Sequence, residues 1–447
     1  MAVLVLMNIL PATVNAESNW TVDDCIAYAI EHNPDVRNKR IDTDMARVDV
    51  LSAYGDFLPS VSITGLSGRR FGHSVDPVTN QYTSEAFFDS TVGINVSFPI
   101  FEGLTRLNRV RFARLNKAMS GFVAKAAENG LALDIAEAFY RYCFYAGMYE
   151  LAVEQRCLGE RYFEKMTEYV KLGIRPRSEI SELKARLQAD IYQERLKARD
   201  CELSMSALKE LMGMDEADSL TIIPEKVSDL PSLANVDLTA LYESARIHMP
   251  EYQIMVMRDK ASRTAVSLAA GAIYPTVRME FNLTSGFYTA RDRSGAVASF
   301  SSQLRNNLNS YIGISVSMPL FDGLRRYNDI RKKKMRYRQV TNDNERQRQA
   351  IERDIYEIYV SAQTVAEEWL LALEQLEAAS VVLNSNEERL HEGIISGFEL
   401  MESRKLYIQA GVEKIRAGLH YILTSKIINF YRTGSFRDIE SDANQSR

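Results

Sequence analysis

Three segments of the chain alternate between apolar residues and small or polar ones, which is the pattern of a half-buried β-strand. They are residues 92–98 (VGINVSF), 277–283 (VRMEFNL) and 312–318 (IGISVSM), and a weaker alternation begins at Val61. The pattern predicts four strands, each with one apolar face and one small or polar face. Such strands fit a soluble sheet, and they also fit a membrane sheet with lipid on one side and water on the other.

Long segments without proline follow the second and the fourth predicted strand. Residues 104–172 contain no proline, none follows Pro319, and both segments are rich in strong helix formers. One helix over 104–172 would be about 100 Å long. Apolar residues in 408–422 step by 4, 3, 4 and 3, as in a coiled coil. Turn sequences interrupt each segment once, at 172–176 and 393–397, which predicts two long antiparallel helical hairpins.

The predicted sheet would have two open edges. A membrane barrel needs at least about eight strands, and an open edge is not tolerated in lipid. The strands therefore belong either to a soluble protein or to several chains that pool them into one barrel.

The same order of sequence motifs occurs twice along the chain. Residues 92–104 (VGINVSFPIFEGL) match residues 312–324 (IGISVSMPLFDGL) at an offset of 220. Two shorter pairs keep a similar offset: the glycines at 173 and 393, and the tetrapeptides HNPD at 32–35 and HMPE at 248–251. Each half is predicted to contain a short helix, a helix bounded by prolines, two strands, a Pro-apolar-Phe-acid-Gly turn and two long helices.

The repeat sets the predicted domain boundaries. Residues 1–16 are uncharged and end in Val-Asn-Ala, which is typical of a signal peptide although the basic n-region is missing. A buried N-terminal strand is the alternative. The remaining chain divides into a first repeat at 17–213, a second repeat at 214–434 and a polar C-terminal tail at 435–447.

Composition and charge narrow the class of protein. With 46% hydrophobic and 25% charged residues and a mean hydropathy of -0.22, the chain is neither disordered nor a polytopic helical membrane protein. A net charge of -5 does not favour nucleic-acid binding. The five histidines are scattered, and no catalytic triad, metal-ligand spacing or Gly-rich phosphate loop occurs. We therefore expect no enzyme, cofactor or metal site.

These features resemble the TolC-like outer membrane efflux family, also called outer membrane factors. The junctions at 92–104 and 312–324 and the hairpin tips at 173–180 and 393–402 carry the resemblance, which extends over nearly the whole chain after residue 17. It implies a mainly α fold with a small antiparallel β part. Duplicated units of two strands and a long helical hairpin, from three chains, would form a trimeric β-barrel continuous with an α-helical coiled-coil tunnel.

The resemblance also implies a location and partners. The protein would lie in the outer membrane lipid with a periplasmic helical tunnel, as a homotrimer and passive exit duct of a tripartite efflux or type I secretion system. A periplasmic adaptor (membrane fusion) protein and an inner-membrane pump would complete it. A drug-efflux, metal-export or protein-secretion duct would differ only in its partner. The alternative from another class is a soluble coiled-coil scaffold with small β-domains.

The resemblance places a periplasmic gate at the tips. An acid lies six residues after each tip glycine, at Glu179 and Glu399, and Glu402 follows on the same helix face. Three copies would form carboxylate rings that favour cations; ordinary solvated glutamates are the alternative. The family's latching Tyr and Arg positions hold Leu390 and Ile395 here, so closure is expected to depend on apolar packing. The predicted gate residues are Glu179, Glu399, Glu402, Ile394 and Ile395, with Ile174 packing beside them.

Two further groups are predicted from the same resemblance. The adaptor-contacting tip would comprise Gly173, Ile174, Arg175, Gly393, Ser396 and Gly397. The barrel–helix junctions would comprise Pro99, Phe101, Gly103, Pro319, Phe321 and Gly323. A basic run at 331–338 (RKKKMRYR) is interpreted as a solvated helix exterior, with a face toward anionic groups or the lumen as the alternative. Polar loops at 69–90 and 285–309 are expected outside the cell.

Overall fold

The structure is a computed structural model of the chain, and it describes residues 19–75, 82–84, 86–173, 176–224, 233, 236–290, 299–395, 397–434 and 436. The predicted signal peptide at 1–16 lies outside these residues, as does the predicted tail at 435–447 apart from Phe436. Three predicted tip residues, Ile174, Arg175 and Ser396, also lie outside the described residues.

Helices and strands follow in the same order in both halves of the described chain, except that the first half has β3 and β4 where the second half has α7. The first half contains β1 (Asn19–Trp20), α1 (Val22–His32), α2 (Pro34–Gly55), β2 (Ser60–Arg70), β3 (Ser74–Val75), β4 (Tyr82–Thr83), β5 (Phe87–Glu102), α3 (Thr105–Lys171) and α4 (Arg177–Met212). The second half contains β6 (Thr221–Ile222), α5 (Leu238–His248), α6 (Pro250–Gly271), β7 (Thr276–Ala290), α7 (Phe300–Asn306), β8 (Asn309–Ser317), α8 (Arg325–His391) and α9 (Gly397–Thr433).

Polar side chains begin the first two helices. At α1, Thr21 Oγ1 accepts a hydrogen bond from the Asp24 N–H (3.3 Å), and Asp24 Oδ2 accepts one from the Thr21 N–H (3.0 Å), which forms a capping box. At α2, Asn33 Oδ1 accepts from the Asp35 N–H (2.8 Å). Asn33 Nδ2 also donates to the Leu211 carbonyl (2.9 Å). The Asn-Pro boundary that the sequence predicted therefore also fixes the start of α2 against the end of α4.

The long helices have the predicted length. α3 and α8 contain 67 residues each, which corresponds to about 100 Å. Each is followed by a glycine in the left-handed region, Gly173 at φ 75° and Gly393 at φ 77°. Glycine adopts this conformation without a Cβ penalty, so the tip glycines end the helices for a local reason.

The β-strands extend further than their sequence patterns suggest. The antiparallel sheet has the order β2-β5-β7-β8, and β2 continues to Arg70, which pairs with Phe87 of β5. β7 reaches Ala290, and α7 occupies Phe300–Asn306. The prediction that 69–90 and 285–309 are entirely loops is therefore wrong. Hydrogen bonding to a neighbouring strand extends each strand beyond the alternating residues.

The chain divides into two compact units, and each repeat contributes to both. Unit 1 contains 1–40, 122–252 and 347–447, and unit 2 contains 41–121 and 253–346. Unit 1 has a helical core whose largest fully buried side chains include Ile26, Ile135, Phe139, Leu208 and Ile355. It also contains the parallel pair β1–β6, which joins a segment of the first repeat to a segment of the second. Unit 2 contains the four-stranded sheet.

Candidate functional site

One face of the four-stranded sheet is apolar across all its strands. Strand pairing places Ile63 beside Ile94, Ile94 beside Leu283, and Phe281 beside Ile312. The register puts further residues on the same face: Val61, Val92, Val96, Phe98, Val277, Met279, Ile314 and Val316. Most of these side chains are exposed, Ile63 to 75% and Ile312 to 69%. A continuous exposed apolar face of this kind marks a membrane or a protein contact.

The opposite face of the sheet is polar and hydrogen-bonded between strands. Ser315 Oγ donates to Glu280 Oε1 (3.2 Å), and Asn95 Nδ2 donates to Thr64 Oγ1 (3.1 Å). The register therefore supports the two faces predicted from the alternation, with apolar residues on one side and water-compatible residues on the other.

Aromatic residues flank the apolar face. Val277 to Leu283 covers about 20 Å of β7 at about 3.3 Å per residue. Beyond one end, the ring of Phe287 lies 6.3 Å from Phe88 and 5.1 Å from Phe300. At the other end, Phe101 pairs with Val277. Membrane strands carry an apolar band about 25 Å tall between aromatic girdles, and this face has the same layout.

The first barrel–helix junction contains a β-bulge followed by a tight turn. The pairing of β5 with β7 shifts between Pro99 and Phe101. Gly103 and Leu104 then both adopt left-handed conformations, at φ 59° and 65°. A Cβ on Gly103 would lie 2.2 Å from the Gly271 carbonyl oxygen. Glycine is therefore required at this position by both its dihedral angle and the close approach of α6.

The second junction is built differently from the first. β8 ends at Ser317, before Pro319, and Phe321 is 82% exposed. Gly323 and Leu324 repeat the left-handed pair, at φ 68° and 65°, but no atom lies within 4 Å of a Cβ built on Gly323. The two junction glycines thus adopt the same conformation, and only Gly103 is closely packed. Pro99 and Phe101 lie within β5, whereas Pro319 and Phe321 follow the end of β8.

The three predicted gate glutamates lie in the first turns of the helices after the tips. Glu399 and Glu402 are exposed on α9, and Glu179 is half-buried in the first turn of α4. Glu402 lines a groove of about 360 Å³ together with Arg186 and Lys405. The structure therefore places Glu399 and Glu402 on one helix face, as predicted, with basic side chains close to Glu402.

The two isoleucines of the second tip have different surroundings. Ile394 is 61% exposed, whereas Ile395 is 5% exposed. Ile395 belongs to a core cluster within its own chain that also contains Tyr162, Met166, Leu383, Leu390 and Leu400. A Cβ on Gly397 would lie 2.7 Å from the Tyr162 hydroxyl. Ile395 and Leu390 thus stabilise the hairpin pair itself, and Ile394 remains the exposed isoleucine of this tip.

A buried charged cluster near the tips was not predicted. Arg404 is 6% exposed, and its Nη2 donates to the Gln155 carbonyl oxygen (2.7 Å). Gln155 Nε2 in turn donates to Asp190 Oδ1 (2.6 Å). Burial lowers the pKa of Arg404 and the charge of Asp190 opposes that shift. Burial raises the pKa of Asp190, opposed by Arg404. The cluster connects α3, α4 and α9, and its polar groups partner one another.

Comparisons with known proteins agree with this geometry. Residues 241–423 match the family model described as outer membrane efflux protein. A crystal structure of CusC is 13% identical, with a TM-score of 0.78 over 94% of this chain and 95% of that one. The CmeC outer membrane channel of Campylobacter jejuni is 15% identical, with a TM-score of 0.77 over 95% and 88%. The outer membrane protein VceC of Vibrio cholerae is 14% identical, with a TM-score of 0.75 over 93% and 97%.

The chain has the fold of the TolC-like outer membrane channels, and the outer membrane efflux family model matches part of its second half. No curated protein matches it in sequence. The predicted fold class is confirmed, a mainly α chain with a small antiparallel sheet, of the trimeric barrel-and-tunnel kind. The partial family match agrees with the predicted family. The comparisons also agree with the predicted location, the outer membrane with a periplasmic helical tunnel. The family that matches is one of channels and not of enzymes.

Two other kinds of feature are absent from the described part of the chain. None of its described helices is both long and apolar enough to cross a bilayer. In the same residues, no group of three or more His, Cys, Asp or Glu side chains is arranged to hold a metal ion. The sheet faces and the hairpin tips are therefore the features that carry the functional argument.

Proposed function

We propose that three copies of this chain form a passive exit duct of a tripartite efflux or type I secretion system. The exposed apolar sheet face carries the proposal, together with its two unpaired edges. Among the described strands, β2 pairs only with β5 and β8 only with β7. Four strands are too few for a membrane barrel, whereas three copies supply twelve and leave no edge in lipid.

The duct works with two protein partners, an adaptor that recruits it to the pump and a pump that supplies the energy. The chain has no Gly-rich phosphate loop with which to hydrolyse a nucleotide, so an inner-membrane pump drives transport. A periplasmic adaptor contacts the hairpin tips around Gly173, Gly393 and Gly397. The outer membrane location favours this duct over the soluble scaffold that the sequence also allowed.

The gate of the duct lies at the same tips. In a trimer, Glu399 and Glu402 repeat three times around the axis and form two acidic rings, with Glu179 contributed by the first hairpin. Rings of carboxylates favour cations in a pore. Ile394, exposed beside these rings, supplies the apolar contact that narrows the closed tip.

Photo-crosslinking tests the partners. A photoreactive side chain replaces Glu392, which is exposed next to the tip glycine, in cells that also produce the candidate adaptor and pump. We expect a crosslink to a periplasmic protein that is anchored in the inner membrane. The matched control places the same side chain at Leu308, which is 59% exposed near the start of β8. Equal crosslinking at both positions, or none at Glu392, would contradict the assignment.

A further inference from the structure

A cavity of about 790 Å³ lies between helices of unit 2, next to the first barrel–helix junction. Its apolar wall includes Tyr54, Phe57, Leu107 and Met257, from α2, α3 and α6 and the turn after α2. Three cations, Arg111, Arg114 and Lys260, line the same cavity. An apolar wall with several cations is complementary to an amphiphilic anion.

The sequence around this cavity is rich in positive charge. Residues 105–127 contain six basic residues and no acidic one, in a protein whose net charge is -5. Arg106 pairs with Glu102 (3.0 Å), and Arg109 pairs with Asp56. None of the cavity cations forms an ion pair with a described carboxylate. Arg114 donates to the Tyr54 hydroxyl and lies over its ring, 5.4 Å from the centroid, so its positive charge is not neutralised.

The cavity begins close to the inner end of the sheet, since Leu104, two residues after the end of β5, is part of its lining. Phe101 ends the apolar sheet face, and the left-handed turn that follows leaves Leu104 and Leu107 exposed, at 56% and 58%. α3 rises about 9 Å between Thr105 and Arg111. The polar layer on each side of a bilayer is about 5–8 Å thick. The first turn of α3 therefore lies at the depth of the lipid headgroups when the sheet is in the membrane. Arg111 and Arg114, about 9 and 14 Å along α3, reach back toward the headgroups along their long side chains.

The geometry points to a binding site for an anionic phospholipid of the inner leaflet. The phosphate contacts Arg111, Arg114 and Lys260, and an acyl chain lies against Leu107 and the neighbouring apolar wall. Basic residues beside a membrane attract anionic lipids, and a long Lys or Arg stem packs on apolar surface while its charge reaches the headgroup. This site depends on the outer membrane location and not on the proposed partners or cargo.

Native mass spectrometry of the purified protein in detergent tests the site. We expect phosphatidylglycerol to remain bound where phosphatidylcholine dissociates. The triple variant Arg111→Gln, Arg114→Gln, Lys260→Gln should weaken phosphatidylglycerol binding at least about tenfold. The matched control, Lys332→Gln, Lys333→Gln, Lys334→Gln, removes the same charge from exposed positions of α8 and should change binding less than about twofold.

Three results would overturn the proposal. An equal loss of phosphatidylglycerol binding in both triple variants would show diffuse electrostatic attraction and no specific site. Equal binding of phosphatidylcholine would show that the cations do not select the lipid. Displacement of phosphatidylglycerol by inorganic phosphate alone at similar concentration would show an anion site without an acyl-chain contact. If the triple variant fails to assemble, the same measurement is made on the single variant Arg111→Gln, which leaves the Arg114–Tyr54 contact intact.

Discussion

At the second hairpin tip, Glu399 and Glu402 both remain exposed on α9. The double change Glu399→Gln, Glu402→Gln keeps size and hydrogen bonding while it removes two negative charges from each copy. In planar bilayers we expect weaker cation preference, measured as a smaller reversal potential in a salt gradient, and weaker block by multivalent cations from the periplasmic side. Conductance should change little, because Ile394 still narrows the tip.

The control for this experiment is Glu374→Gln, Glu377→Gln on α8, a pair that is also exposed and also three residues apart. It should leave selectivity and block unchanged. Should the tip variant behave like this control, Glu399 and Glu402 are ordinary surface residues, and the gate lies elsewhere.

Glu251, in the first turn of α6, gives a pH-dependent prediction. Burial raises its pKa, opposed by a hydrogen bond from its own backbone, and its Oε2 has no hydrogen-bond partner among the described residues. Because the folded-state pKa lies above the unfolded-state value, the folded protein binds the proton more tightly. This contribution to stability is complete below the unfolded-state pKa and is lost as the pH rises through the folded-state pKa.

Glu251→Gln should therefore raise the Tm at neutral pH, and the gain should shrink as the pH falls through the folded-state pKa of Glu251. Thermal unfolding followed by circular dichroism across a pH series measures this. Asp35→Asn is the control, because Asp35 takes the equivalent place in the first repeat but is exposed; it should give no comparable gain. A gain for Glu251→Gln that is the same at every pH would refute the burial argument.

Arg404 shows how far a pattern of apolar positions can predict a buried residue. The spacing of 4, 3, 4 and 3 in 408–422, extended back by one further step of three, reaches Lys405, which is exposed, and not the buried Arg404. The apolar spacing therefore does not predict that Arg404 occupies a core position. Its partners Gln155 and Asp190 lie on α3 and α4. Helix rotation and register decide which side chains meet across helices, and a single sequence does not fix these.

At the scale of whole elements, the long helices were easier to predict than the strand ends. Helix length follows from local properties, namely the absence of proline and the left-handed glycine at each tip. Strand length depends on a distant partner. β2 continues through Gly65 and Gly68 because each pairs with a residue of β5, Val92 and Asp89 respectively. Cross-strand pairing of this kind is not visible in side-chain alternation.

The two faces of β8 give a prediction at this scale. Val316 lies on the apolar face and Ser315 on the polar face beside Glu280. Val316→Arg should cost about 2–4 kcal/mol of membrane folding free energy if the site is near the midplane. Ser315→Arg should cost much less, since the new charge faces water and lies close to the Glu280 carboxylate. Folding titrations into lipid vesicles measure both, and equal costs would refute the assigned faces.

At the scale of the assembly, β2 of one copy should pair with β8 of the next. Ser62→Cys in β2 is combined with a single cysteine at Tyr311, Gly313 or Ser315 in β8, after the four native cysteines are replaced. A disulfide requires Cα atoms within about 7 Å, so only the correct register should give a covalent trimer on denaturing gels. In the control, Asn95→Cys in the central strand β5 is used in place of Ser62→Cys. This combination should give no covalent trimer. A folded, monodisperse monomer would contradict the shared barrel.

The compact units could not be predicted from the repeat. The repeat predicts boundaries at 17–213 and 214–434, whereas unit 1 and unit 2 each combine segments of both halves. α3 and α8 begin in unit 2 and end in unit 1. The sequence repeat reflects the order of elements along the chain, whereas a compact unit reflects which elements pack together. The boundaries of the repeats and of the compact units therefore need not coincide.

The ion pair between Lys426 and Asp23 (3.8 Å) joins the last long helix to the first helix of unit 1. At about 5–20 residues per second, roughly 20–80 seconds of protein synthesis separate these two residues. During that time α1 exists without the helix that it will finally contact. A chain that stops before α9 can already pack α1 against α4 but cannot form this ion pair, so the contact between α1 and α9 is among the last to become available during synthesis.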